Sequence, residues 1–158
     1  MPKMTTCLWF DTEAEDAARF YCGVFKKSKI LDIAYYGPGM PKPAGSVLTV
    51  RFRINGQEFL ALNAGPQNQF NMSVSIMVPC KAQKEIDTLW EKLTDGGKEI
   101  QCGWLTDKYG LCWQIVPSFL GKIVEGKDKA RSARVLKALM PMKKLDIKTL
   151  KQAAKNGK

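Results

Sequence analysis

The sequence predicts an α+β protein made of two βαβββ modules followed by a short helical tail. Three observations carry that expectation. A short apolar strand, an amphipathic helix and three further strands fit residues 4–66. The same order recurs over residues 71–118, and after Pro117 the chain becomes strongly basic.

The elements follow in turn. Thr6–Phe10 (TCLWF) is short, apolar and aromatic, as a buried strand is. Thr12 to Glu15 has capping-box spacing, with Thr12 as N-cap and Glu15 at the third helical position. Ala14, Ala17, Ala18, Tyr21, Val24 and Phe25 then recur at helical spacing and mark one apolar face. Lys29–Tyr36, Ser46–Ile54 and Gln57–Asn63 read as three strands. The first two are separated by a Gly37-Pro38-Gly39 and Pro41/Pro43 loop, the last two by an Asn55-Gly56 hairpin turn.

In the second module, Ser73–Val78 reads as a strand ending at Pro79. Ile86, Leu89, Trp90 and Leu93 form a helical stripe that Asp95-Gly96-Gly97 stops. Glu99–Trp104, a short piece at Leu105–Thr106, and Leu111–Val116 supply the remaining strands, with Tyr109-Gly110 in a turn. Beyond them, Ile123, Leu136, Leu139, Leu145, Ile147 and Leu150 predict two or three short helices broken near Pro141. The expected organisation is a paired domain over residues 1–120 and a basic helical tail over 121–158.

Composition narrows the chemistry. The chain has 158 residues, 45% hydrophobic and 25% charged, which excludes a disordered or fibrous protein. It has no histidine, so imidazole bases, Ser-His or Cys-His nucleophile pairs and imidazole metal ligands are all excluded. The net charge of +10 is uneven. Residues 1–120 carry 13 Lys and Arg against 12 Asp and Glu, whereas residues 121–158 carry 12 against 3. A basic tail invites a nucleic-acid reading, but this one has no aromatic side chain on which a base would stack, and solvated helical faces explain it better. Nucleic acid is therefore not an expected partner.

Five cysteines in no paired pattern predict free thiols, a reducing compartment and a cytoplasmic setting. No apolar stretch of signal-peptide length precedes Asp11. The uncharged 22-residue run from Phe59 to Cys80 is interrupted by Asn63, Gly65, Pro66, Gln67, Asn68, Gln69 and Asn71, which argues against a membrane span.

The words LWFDTEAEDAARFY (8–21), AGSVLTVRF (44–52), FLALNAGP (59–66), SIMVPC (75–80) and CGWLTDKYGLCWQIVP (102–117) narrow the pattern further. They resemble the vicinal oxygen chelate superfamily of glyoxalases, bleomycin-resistance proteins and extradiol dioxygenases. Within it they resemble the PhnB-like branch, often labelled 3-demethylubiquinone-9 3-methyltransferase. The resemblance is expected to cover nearly the whole chain, including KKLDIKTL (143–150) in the tail. It implies curved mixed sheets around a central cleft, and commonly a homodimer.

The superfamily holds a divalent metal with His and Glu from the first and last strands of each module. Here the corresponding places carry Met4–Thr6, Asn63, the Gly65-Pro66-Gln67 loop, and Gln114 where an enzyme would have Glu. Neutral amides are weak ligands beside imidazole and carboxylate, so no metal and no other cofactor is expected. Nor do the irregular separations of Cys102 and Cys112 suit zinc. Methyl transfer is not expected either. The first strand-to-helix turn, Phe10-Asp11-Thr12, has no glycine, Gly37-Pro38-Gly39 leads into a strand, and Gly96-Gly97 closes a helix.

What remains is a neutral polar and aromatic binding surface: Asn63, Gln67, Trp104, Cys112 and Gln114. Strand alternation puts Cys112 on the same face as Gln114. Asn63 and Gln67 equally suit satisfying loop backbone, Trp104 equally suits a core, and Asp107 suits capping a turn better than acting as a base. The function expected is metal-independent binding of a small organic molecule. The alternative is an enzyme of the same fold acting on a small carbonyl or aromatic metabolite. A homodimer is expected, with the apolar tail residues covering the partner or the chain's own sheet.

Overall fold

The structure is a computed structural model that describes residues 4–155, so the last three residues of the expected tail lie outside it. Contacts divide the chain into two units, the first ending at Phe70 and the second beginning at Asn71.

The first unit runs β1 (Thr6–Phe10), α1 (Ala14–Val24), β2 (Lys29–Tyr35), β3 (Val47–Ile54) and β4 (Gln57–Asn63). Its sheet has the order β1-β4-β3-β2, with β1 parallel to β4 and the other pairs antiparallel. Alternation along the strands divides the side chains. Leu8, Phe10, Val50, Phe52, Ile54, Phe59 and Ala61 are buried on the face that α1 covers with Ala14, Ala17, Ala18 and Tyr21. Tyr21, Phe52 and Phe59 stack in series, with centroids 6.1 and 5.4 Å apart. Burial of each such ring is worth roughly 2–3 kcal/mol. Asn55 (φ 46°) and Gly56 (φ 92°) turn the β3–β4 hairpin, the pair of positive φ values for which Asn-Gly is suited.

The start of α1 corrects the expectation. The helix begins at Ala14, Thr12 caps nothing, and Glu15 pairs with Arg19 at 2.6 Å instead of closing a capping box. Asn63, at the end of β4, accepts from the Ala14 amide at 2.8 Å. A side chain distant in sequence thus does what a local cap does elsewhere.

The second unit runs β5 (Ile76–Cys80), α2 (Gln83–Thr94), β6 (Lys98–Glu99), β7 (Trp104–Thr106) and β8 (Cys112–Pro117), then α3 (Leu120–Val124), α4 (Lys129–Leu139) and α5 (Ile147–Lys155). The sheet order is β5-β8-β7-β6, again with one parallel pair, β5 and β8. The strand expected to end at Pro79 continues to Cys80, because β5 is an edge strand where a missing N–H is tolerated. Its start is later than expected, since the Ser73 amide turns back onto the Asn71 side chain at 2.8 Å.

A second correction concerns Glu99–Trp104. The chain leaves the strand after Glu99 and re-enters at Trp104, with Cys102 (φ 63°) and Gly103 (φ 82°) left-handed between them. Their amides donate to Met142 O at 2.7 Å and Lys143 O at 2.8 Å. Carbonyls of the tail therefore take the bonds a continuous strand would have made.

The tail forms three helices, with the break at Pro141 as expected. Val116, Ile123, Val135, Leu139, Leu145 and Leu150 make one buried cluster, with Cys102, Phe119 and Met142 packed against it. Its apolar residues are thus largely covered by their own chain, while Leu136 and Met140 stay exposed. Among the described residues, no helix is long and apolar enough to cross a membrane.

Candidate functional site

Alternation that buries one face of each sheet opens the other. In the first unit, Phe59, Ala61 and Asn63 share a parity, so Asn63 lies on the side covered by α1. It is only 4% exposed. Its oxygen accepts from Ala14 N, its nitrogen donates to Val47 O at 3.0 Å, and its backbone carbonyl accepts from the Tyr36 hydroxyl at 2.6 Å. Beside it, Thr12, Glu15, Asp16, Lys42, Ser46 and Val47 line a hollow of about 220 Å³.

Gln67 is exposed on the loop after β4. With its amide nitrogen turned inward it donates to Ala64 O at 3.1 Å and Gly65 O at 3.2 Å. Gly65 O also accepts from the Trp9 indole at 2.8 Å. The Asn63 amide and the Gln67 amide nitrogen are thus engaged by protein groups, one at a helix start and one on a loop.

The second unit brings the other three candidates onto one sheet. Register places Met77, Gln114 and Trp104 side by side across β5, β8 and β7. Register partners point to the same face. This is the face away from α2, because Leu105, Trp113 and Ile115, of opposite parity, are buried on the side where α2 packs Ile86, Trp90 and Leu93. Met77 is exposed, and Gln114 and Trp104 are half-buried. The Gln114 amide donates to the Ser75 hydroxyl at 2.8 Å. The row therefore offers a thioether, an oriented amide and an indole.

Cys112 shares that parity but is buried, and its thiol donates to Asn71 O at 3.4 Å. Burial, and then the neighbouring Asp107 carboxylate, push its pKa above the ordinary thiol value. An acid stands where an activated thiolate needs a cation.

Asp107 is 2% exposed, and its carboxylate accepts from Tyr109 N, Leu111 N and the Trp113 indole at 2.9, 3.1 and 2.8 Å. It ties the β7–β8 turn to the core. Trp9, within the segment read as a buried strand, is half-buried on the open face of the first sheet.

The sequence reading missed Met77 and Ser75 in the second unit. In the first it missed the charged group Arg51, Arg53 and Glu58, whose ion pairs measure 3.6 and 2.6 Å. The signal for the latter was present: in VLTVRFRI, Thr49, Arg51 and Arg53 alternate with buried Val50, Phe52 and Ile54.

The donor set does not fit the superfamily's metal. The Asn63 oxygen is taken by the Ala14 amide, and Gln114 presents a neutral amide where the superfamily has a carboxylate. Among the described residues no group of three or more His, Cys, Asp or Glu is placed to hold an ion. The entry to α1, where a Rossmann-type nucleotide site would present a glycine turn, has none, and its first amide is taken by Asn63.

Paired βαβββ units with one parallel strand pair each define a glyoxalase-like fold of the vicinal oxygen chelate class. The 3-demethylubiquinone-9 3-methyltransferase family matches residues 2–116, and the chain belongs to that family. It is similar to a solved PhnB protein from Bacillus cereus that carries the same methyltransferase designation. The two are 34% identical with a TM-score of 0.66, over 73% of this chain and 99% of that one. The fold is shared with protein PA1353 from Pseudomonas aeruginosa, at 18% identity and TM-score 0.60, over 72% of this chain and 95% of that one. No curated protein matches the chain. The family match ends at residue 116, so the resemblance expected through the tail is corrected: α3, α4 and α5 lie beyond it.

Proposed function

We propose that this protein binds a small organic molecule, without a metal, on the open face of its second sheet. The observation that carries the proposal is the row Met77–Gln114–Trp104, in which Ser75 orients an amide between two apolar, polarisable side chains. An aromatic or cationic compound would lie against the Trp104 indole and the Met77 thioether, with Gln114 fixing its polar group. The complete absence of histidine supports the metal-free reading. Chemistry by Asp107 is not part of the proposal, because its carboxylate is committed to three N–H donors. The five free cysteines favour a reducing, cytoplasmic setting. Exposed Met72 and Val74, just before an edge strand, favour a homodimer, which light scattering tests.

A thermal-shift screen of aromatic and cationic compounds on the wild type and on Trp104→Ala tests the site. A compound that stabilises the wild type and not the variant supports it, and equal stabilisation of both removes it. Near-stoichiometric metal in the purified protein would overturn the metal-free part, and calorimetric binding of S-adenosylmethionine would overturn the exclusion of methyl transfer.

A further inference from the structure

The helices beyond residue 116 are not accounted for by the family fold. Their apolar side chains are turned into a core with Val116, which leaves the cations outside on fixed helices. On α5, Lys148, Lys151 and Lys155 are three and four residues apart, so they share one face over roughly 10 Å of axis. Together with Gln83, Asp146, Ile147 and Gln152 they line a hollow of about 510 Å³.

These lysines differ from their neighbours. Lys143 and Lys144 have carboxylate partners, Glu99 at 3.6 Å and Asp87 at 2.8 Å. Among the described residues no carboxylate lies within 4.0 Å of Lys148, Lys151 or Lys155. Lys148 is near enough to Asp146 to favour its ionised form, but that carboxylate is bonded to the Thr149 amide at 2.6 Å. Lys151 is steadied over the Phe119 ring, 5.6 Å from its centroid. Three lysines against one carboxylate therefore line or rim the hollow.

We propose that this hollow binds a small anion bearing at least two negative charges, of the phosphate-ester or pyrophosphate class. Its ligand-sized volume favours a small molecule over a nucleic-acid strand. The tail also offers no aromatic side chain of its own for a base. Ammonium groups serve as point charges for phosphate oxygens, without the bidentate geometry that guanidinium would impose.

Inorganic pyrophosphate is the probe, titrated into the full-length protein by calorimetry at low ionic strength. Saturable single-site binding that weakens with added salt is expected. The triple variant K148Q/K151Q/K155Q should weaken it by about tenfold or more, while Lys122→Gln with Lys129→Gln leaves it within about twofold. All these lysines are exposed, so every variant should stay folded, with melting temperature lowered at most slightly by loss of the Lys151–Phe119 contact. Equal affinity in wild type and triple variant overturns the proposal, as does non-saturating binding. Tighter binding of a DNA duplex than of pyrophosphate, lost in the same triple variant, would also overturn it in favour of a nucleic-acid surface.

Discussion

The Ile147 amide donates to the Gln83 side-chain oxygen at 2.8 Å, across 64 residues. The Gln83 side-chain nitrogen donates to Leu145 O at 3.0 Å and to the Asp87 carboxylate at 3.1 Å. One glutamine at the start of α2 thus caps α5 and holds the segment that leads into it.

Gln83→Ala should cost about 2 kcal/mol, from two lost bonds and a first α5 amide left without its acceptor. Urea unfolding measures the loss, and limited proteolysis should show cleavage after Pro141 appearing before cleavage elsewhere. A variant as stable and as resistant as wild type would mean the tail is held by its apolar cluster alone.

Asn63→Ala should destabilise by about 1–3 kcal/mol, because it strands the buried Ala14 amide and the Val47 carbonyl together. Asn63→Asp keeps the acceptor for Ala14 but sets a carboxylate oxygen against Val47 O, so it should not rescue the loss. Chemical denaturation of both variants checks the order.

Thiol reactivity should follow access. Cys7 is exposed and should label first with a thiol-specific reagent. Cys112 and Cys80 are buried; burial, with Glu85 adding to it, raises the Cys80 pKa to about 11. Both should label only on unfolding. Rapid modification of Cys112 in the native protein would contradict the burial and the acid beside it.

Acid should loosen the second unit through its carboxylates. Hydrogen bonds from Lys144 and then Gln83 hold Asp87 below its ordinary value of 3.8, and Thr149 does the same for Asp146. The indole of Trp90 lowers Glu99 from 4.5. Depressed values favour the ionised, folded form, so this stability is present above the ordinary carboxylate range and is lost as pH falls below about 4. Asp87→Asn with Asp146→Asn should flatten the stability–pH curve in that window and leave its shape near neutrality unchanged.

These relationships explain which parts of the structure the sequence made legible. Asn55-Gly56 announced its hairpin because two consecutive positive φ values leave few alternatives. The stripe of Ile86, Trp90 and Leu93 announced α2 because all three are buried on one side. The break at Cys102 and Gly103 was not legible, since its partners are carbonyls of Met142 and Lys143 far downstream. Asn63 stood out as polar, but its parity with Phe59 and Ala61 already assigned it to the helix side. Met77 was overlooked because methionine in an apolar strand looks like core, and only the pairing with Gln114 turns it outward.

The dependence of Cys102 and Gly103 on Met142 and Lys143 also orders events during synthesis. Every strand and helix of the first unit has emerged once residue 63 is free. In the second, the β6–β7 connection waits for carbonyls made some forty residues later. On a translating ribosome the first unit can fold as it emerges, whereas the β6–β7 connection of the second lacks its acceptors until residues 142 and 143 follow. A chain cut short before residue 142 would therefore carry one finished unit and one with unsatisfied amides at Cys102 and Gly103 and an uncovered Val116, a substrate for chaperones and proteases.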